Sequence, residues 1–231
     1  AHDAEQDLGI RCRFILDVDK PSGPAAAVEL MRLADRCERE LLIGIGGDAG
    51  ERDIDLLAFA AAFALARSRG WHTTMHVGEE GPVSDIRTGL SALGLERVDH
   101  GVSLRDDPIL MAEIADRRIP ITCCPTSNVR IGVVPSIEEH PIAAMRDAGV
   151  LVTVNSDNAE MFGVDMADEL CSLSTAFGWT LDDLENLCLA GVDACWAPDN
   201  EKRALESSFR QEMAMLRMQR NLPARFGAET P

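Results

Sequence analysis

His76 and His100 each close a short apolar run, and each is followed within two residues by a glycine. In Met75-His76-Val77-Gly78-Glu79-Glu80, a turn at Gly78 would let His76 and Glu79 face one pocket, and an imidazole beside a carboxylate can ligate a metal and donate a proton. Arg97-Val98-Asp99-His100-Gly101 repeats that design further along the chain. Val152-Thr153-Val154-Asn155-Ser156-Asp157-Asn158 puts an aspartate directly after an apolar run, where it can act as a hard oxygen ligand or an anionic acceptor. Taken singly, each segment also has a plain structural explanation: a strand-end histidine donating to a carbonyl, or an Asx turn or N-cap at Asp157-Asn158. Cys123-Cys124-Pro125-Thr126-Ser127-Asn128 offers no partner for thiol chemistry, so Cys123 is expected to be buried and Pro125 to Asn128 to form a rigid turn. The glycine-rich stretch Gly46-Gly47-Asp48-Ala49-Gly50 lacks the Lys and Ser/Thr of a P-loop and the spacing of a dinucleotide fingerprint. Close backbone approach to an uncharged ligand edge suits it better. His2, His72 and His140 fall outside the pattern and are assigned to surface or packing.

The elements that must position these residues follow from hydrophobic period. Short apolar runs at 13–18, 41–46, 73–76, 97–100, 119–123 and 151–155 read as six strands. Amphipathic patterns at 25–40, 54–69, 85–93, 108–117 and 137–148 read as crossover helices, an alternation that predicts an α/β fold with a parallel sheet. In the second helix Ile54, Leu57, Ala58, Ala61, Leu65 and Arg69 mark successive turns of the face expected to lie on the sheet. Gly70, Gly94 and Gly149 suit left-handed helix ends. Helices are expected next at 164–177, 180–196 and 200–220, with Thr180 and Asp183 forming an N-cap arrangement and Pro198 breaking the chain. The tail, 221–231, is expected to fray. No linker composition divides the sequence, so residues 1–231 are read as one domain. His76, His100, Cys124 to Asn128 and Asp157 then all fall at the carboxyl ends of successive strands, the edge where parallel α/β folds build their sites.

Composition limits the partners. The chain carries a formal net charge of −17 with 46% apolar residues, and no basic run locally reverses it, which disfavours nucleic acid and anionic membrane surfaces. The longest apolar stretch, 56–66, is about half of the roughly 20 residues that a membrane span needs. Seven cysteines lack paired zinc-ribbon spacing and read as buried thiols of a reducing cytoplasm. The acidic N-terminus, with Asp3, Glu5 and Asp7, does not look like a secretory signal.

Taken in order, His76-Val77-Gly78-Glu79, Val98-Asp99-His100-Gly101, Cys124-Pro125-Thr126-Ser127-Asn128 and Asn155-Ser156-Asp157-Asn158 resemble the adenosine deaminase family. The spacings of 24 residues from His76 to His100 and 57 from His100 to Asp157 also fit. The resemblance runs from about Arg11 into the C-terminal helices. It implies a (β/α)8 TIM barrel of the metal-dependent hydrolase type, present as roughly six βα units plus C-terminal helices. The implied activity is zinc-dependent hydrolytic removal of the 6-amino group of a purine as ammonia, with adenosine the first substrate and adenine or a related compound the next. By the same resemblance, His76 and Asp157 are zinc ligands, Glu79 protonates ring N1, and His100 orients and deprotonates the attacking water. Gly47 approaches the purine edge, and Asn158 stands where many members carry an aspartate facing N7. The partner implied is a small-molecule purine, and oligomeric state is left open.

One departure is large. The family supplies two further zinc histidines from a His-x-His segment, and this sequence contains none. The expectation is a barrel lacking its first two βα units, on the order of 60 residues or more, with weak zinc binding and no activity as it stands. Two alternatives remain beside a deaminase. One is a non-catalytic remnant whose strand edges at 13–18 and 151–155 are covered by another chain. The other is a metal-dependent hydrolase of a cyclic amide, which would not need Glu79 as an acid.

Overall fold

The computed structural model describes residues 1–37 and 40–223. The expected fraying at 221–231 lies largely outside the described residues. The chain is α/β, with parallel strands joined through helices. It divides into two compact units, one of Ala1–Thr122 with Ala148–Val150 and the other of Cys123–Asp147 with Leu151 onward.

The first unit opens with a short helix, α1 (His2–Leu8), that hydrophobic period did not reveal, because it buries no residue. Strand β1 (Phe14–Asp19) pairs in parallel with β2 (Leu42–Asp48), setting Asp17 opposite Gly46 and Val18 opposite Gly47. Between them α2 (Gly23–Leu33) starts with Pro24 in its first turn, where a missing N–H removes nothing. It gives way to a 3-10 turn, Ala34–Arg36, earlier than the expected end at residue 40.

The expected strand 73–76 is an extended segment that changes partner midway. Its first half, β3 (His72–Thr73), joins β2, and Thr74 N donates to Ile45 O at 3.0 Å. Its second half, β4 (His76–Val77), joins β5 (Val98–His100), and Met75 O accepts from Asp99 N at 2.9 Å. Strand β5 in turn pairs with β6 (Ile121–Cys123), matching Asp99 to Thr122.

A 3-10 turn, Leu56–Phe59, leads into α3 (Ala60–Ser68), whose buried face is Leu56, Phe59, Ala62, Phe63 and Ala66. The expected face is therefore corrected: Leu57, Ala58 and Ala61 are exposed. Both stripes have a helical period, and the one carrying two phenylalanines removes more apolar area from water. Helix α4 (Val83–Thr88) continues through a π-type turn, Gly89–Leu93, to Gly94 at φ +68°. Helix α5 (Pro108–Asp116) is capped by the Asp107 carboxylate, which accepts from Leu110 N. The core these elements enclose includes Ile45, Phe63, Met75, Ile86, Leu93, Val98, Leu104, Ile114 and Ile121.

In the second unit the expected rigid turn at Pro125 is a helix, α6 (Pro125–Arg130), because the proline occupies its first position. The Glu169 carboxylate, fully buried, accepts from Thr126 N at the start of that helix. The helix expected at 137–148 is interrupted: a 3-10 turn, Ile137–Glu139, precedes α7 (Ile142–Asp147), with Pro141 between them. Then come β7 (Val152–Val154), the single-turn α8 (Ala159–Phe162), α9 (Met166–Phe177), α10 (Leu181–Ala194) and α11 (Asp199–Gln219). Asn155 N donates to Cys123 O at 2.9 Å. Buried Arg217 on α11 donates to Glu185 at 2.7 Å and to Asp182, which ties α11 to α10.

Thr180 and Asp183 form a reciprocal capping box on α10, as expected. The Thr180 hydroxyl and the Arg146 guanidinium hold the Asp183 carboxyl down to about 2. A carboxyl depressed in the folded state contributes stability that is complete above its unfolded value and is lost as pH falls through the folded one, here from about 4 to about 2. After allowance for solvent screening, Asp183→Asn should cost about 1 kcal/mol at pH 7. Urea unfolding at pH 7 and pH 2.5 checks this. The variant should lose less stability than the parent between those two values, and equal losses would contradict the assignment.

No described helix is long and apolar enough to cross a membrane. Cys123 and Cys124 are buried, but Cys37 and Cys171 are exposed, which corrects the expectation that all seven thiols are buried. Burial pushes the Cys123 thiol up to about 12, which removes it from nucleophilic chemistry at neutral pH.

Candidate active site

Three of the expected site residues converge in the first unit. His76 opens β4, and His100 closes β5 one register step away, opposite Val77. The rings meet edge to face with centroids 4.4 Å apart and planes at 79°. The Glu79 carboxylate lies 3.1 Å from His100 Nδ1. Nitrogen and oxygen atoms of His76, Glu79 and His100 able to bind a metal all lie within 4.8 Å of one another.

Backbone geometry produces this convergence. Gly78 at φ +73° turns the chain after β4 and brings Glu79 back beside His100. His100 itself sits at φ +65°, uncommon for a side chain with a Cβ, and is followed by Gly101 at φ +60°. Such strain persists only where the surroundings enforce it and gathers at functional sites. Here the surroundings are closely packed: His100 is 2% exposed. The adjoining strand residue, Asp99, accepts hydroxyl hydrogen bonds from Thr74 and Thr122, each at 2.6 Å.

Two charged residues in this region carry no sequence motif. Lys20 directly follows β1 and is 1% exposed, and Glu51 follows the glycine-rich stretch and is 6% exposed. Lys20 Nζ donates to the His76 carbonyl at 2.8 Å and lies 4.0 Å from Glu51 Oε1. The Glu51 carboxylate accepts from the backbone N–H groups of Gly78, Glu79 and Gly81 at 3.0, 3.2 and 2.7 Å. Burial draws the Lys20 ammonium below its ordinary range, against the opposing pull of Glu51, Glu79, Asp48 and Asp85. The one available signal was composition: Lys20 is one of only two lysines in the chain.

Gly47 is buried at the end of β2, and a Cβ there would stand 2.5 Å from Met75 Cε. Close approach was expected at this position, and the neighbour that enforces it within the chain is a methionine. In the second unit, Asp157 is exposed at φ +57°. It accepts from the Ser127 hydroxyl at 2.6 Å and from Asn158 N at 2.7 Å. Asn158 caps α8 by accepting from Met161 N at 2.9 Å through its side-chain oxygen, as the plain structural reading allowed. That bond leaves the donor side of the amide uncommitted to the cap. His140, assigned to surface or packing, is buried, with Nε2 3.1 Å from Asn128 Oδ1.

Parallel strands thus bring an imidazole pair and a carboxylate together at their carboxyl ends, the edge at which parallel α/β folds build their sites. Comparison with known proteins is more specific. The chain belongs to the adenosine deaminase family, whose model matches residues 1–212. It is 33% identical over 204 residues to an adenine deaminase of Rhodopseudomonas palustris, an alignment covering 88% of this chain and 59% of that protein. It is 36% identical over 193 residues to an aminodeoxyfutalosine deaminase of Streptomyces coelicolor, covering 83% and 50%. Among solved structures, adenine deaminase from Arthrobacter aurescens superposes with a TM-score of 0.87 at 27% identity, covering 91% of this chain and 64% of that one. An amidohydrolase from Burkholderia ambifaria with bound Zn gives 0.88 at 32% identity, covering 94% and 61%. The chain thus spans about half to three fifths of the length of the curated relatives it matches.

Proposed function

We propose that the protein carrying this chain hydrolyses the 6-amino group of a purine, consuming water and releasing ammonia, with zinc as its cofactor. The observation that carries the reading is the meeting of Glu79 with His100 at 3.1 Å beside the His76 ring. The reaction needs a proton delivered to ring N1 as water adds at C6, and a base that takes the water's proton and passes it to the departing amine. Glu79 is the donor to N1, and His100 is the base. Their contact lets each orient the other, and exclusion of solvent around His100 strengthens both roles.

The donor set also fits zinc, which takes imidazole nitrogen and carboxylate oxygen. His76 and, by its motif, Asp157 are the ligands. Bound zinc supplies Lewis-acid activation of water at neutral pH. Gly47 is read as the close approach to the purine edge and Asn158 as an amide donor to N7. The substrate choice is supported by the relatives' names, which bring adenine ahead of adenosine, the reverse of the order that the family resemblance implied.

The test is an ammonia-release assay on the zinc-supplied protein containing these residues, offered adenine, adenosine and other 6-aminopurines in parallel. Ammonia should appear in equal amount to the 6-aminopurine absorbance lost, and fastest with adenine. No turnover on any of these compounds would overturn the proposal.

A further inference from the structure

His76 and Glu79 are only three residues apart, and the segment between them is gripped at both ends by side chains outside it. The Lys20 ammonium holds the carbonyl of residue 76 at 2.8 Å, while the Glu51 carboxylate collects the N–H groups of residues 78, 79 and 81. Lys20 and Glu51 themselves stand 4.0 Å apart with side chains 0% and 4% exposed. The loop closes tightly on Glu51, since a Cβ at Gly81 would lie 2.5 Å from its Oε2.

Burying an ammonium and a carboxylate is expensive, and an apolar pair of similar volume commonly gives equal or greater stability. What an apolar pair cannot give is direction. Three backbone N–H groups converging on one carboxylate are charge-assisted bonds that fix the loop's path. The carbonyl bond from Lys20 fixes the peptide that follows His76. A site that works only when its groups are within about half an ångström of the productive geometry gains most from such direction.

We propose that Lys20 and Glu51 are positioning residues that clamp the 76–81 segment, holding His76 and Glu79 in their mutual geometry before any ligand binds. This rests on the reading of Glu79 and His76 as reaction-site groups, and its test separates the two ideas.

The experiment uses the charge-neutral double variant Lys20→Met/Glu51→Gln, with single Glu51→Gln as the variant that keeps one acceptor oxygen. In metal-free protein, amide hydrogen exchange at Gly78, Glu79 and Gly81 should accelerate at least about tenfold in the double variant, while Val98 in β5 stays unchanged. In the zinc-supplied protein, kcat should fall roughly 100-fold with KM within about threefold, as expected for misplacement by about an ångström. Single Glu51→Gln should fall between parent and double variant in both readouts. Unchanged exchange at Gly78 and Gly81 would overturn the clamp, and accelerated exchange with unchanged kcat would overturn its positioning role. If the parent protein turns over no 6-aminopurine, the deaminase reading fails alone, and the exchange data still decide whether the clamp exists.

Discussion

Glu79→Gln is expected to reduce 6-aminopurine deamination by a factor of about 10² to 10⁴, the usual contribution of a positioned general acid. The amide matches the carboxyl in size and can still meet His100 Nδ1, now 3.1 Å from the carboxylate, so the fold should tolerate the change. The variant loses the ability to transfer a proton to N1 and recover it within the cycle. Stability by urea unfolding should fall by no more than about 1 kcal/mol, the centre of the range for point substitutions, because the change creates no cavity. The loss should fall on kcat more than on KM, because the missing interaction is made as charge builds on the ring. A variant retaining more than about a tenth of parent turnover would remove Glu79 from the reaction.

Gly78→Ala is expected to be the most damaging small substitution in the site. At φ +73° an alanine pays about 1 to 2 kcal/mol for the left-handed backbone. Its Cβ would then stand 2.6 Å from both Ile86 Cδ1 and Ser103 Oγ, an overpacking of about 1 to 3 kcal/mol. Relief by shifting the backbone is opposed by the bond from Ser103 N to Gly78 O at 2.8 Å and by the Glu51 carboxylate on Gly78 N. Total destabilisation should be about 2 to 5 kcal/mol, lowering Tm by roughly 10 °C for a protein of this size. Turnover should fall as well, because the residue that moves is the one joining His76 to Glu79. Denaturation midpoints within about 0.5 kcal/mol of the parent would mean that the turn is far more compliant than its packing implies.

The residues around the candidate site differ in how visible they are in the sequence. His76, His100 and Asp157 stand out because a polar residue ending an apolar run is conspicuous, and β5 and β7 lie within their runs, while the run at 73–76 is divided between β3 and β4. Glu79 could be paired with His76 because Gly78 marks the turn between them. Lys20 and Glu51 could not be found in this way. Lys20 meets a carbonyl 56 residues away and Glu51 meets amides 27 to 30 residues away, contacts that no local pattern encodes. Period alone also misjudged α3, where two stripes share the helical repeat and Phe59 and Phe63 decide between them. Pro125 misled in the opposite direction, because a proline that ends a strand is equally suited to begin a helix.

The segment 72–77 ties two hydrogen-bonded ladders together through a single peptide. Thr74 is stitched to Ile45 on one side, and Met75 is stitched to Asp99 on the other. Because strand side chains alternate with a period of two, sliding this splice by one residue would turn His76 to the opposite face. Both ladders would have to slip together for that to happen. Register is thus locked twice immediately before the first imidazole, and length changes in the chain leading into residue 72 should be absorbed in the preceding turn instead of being passed on to His76.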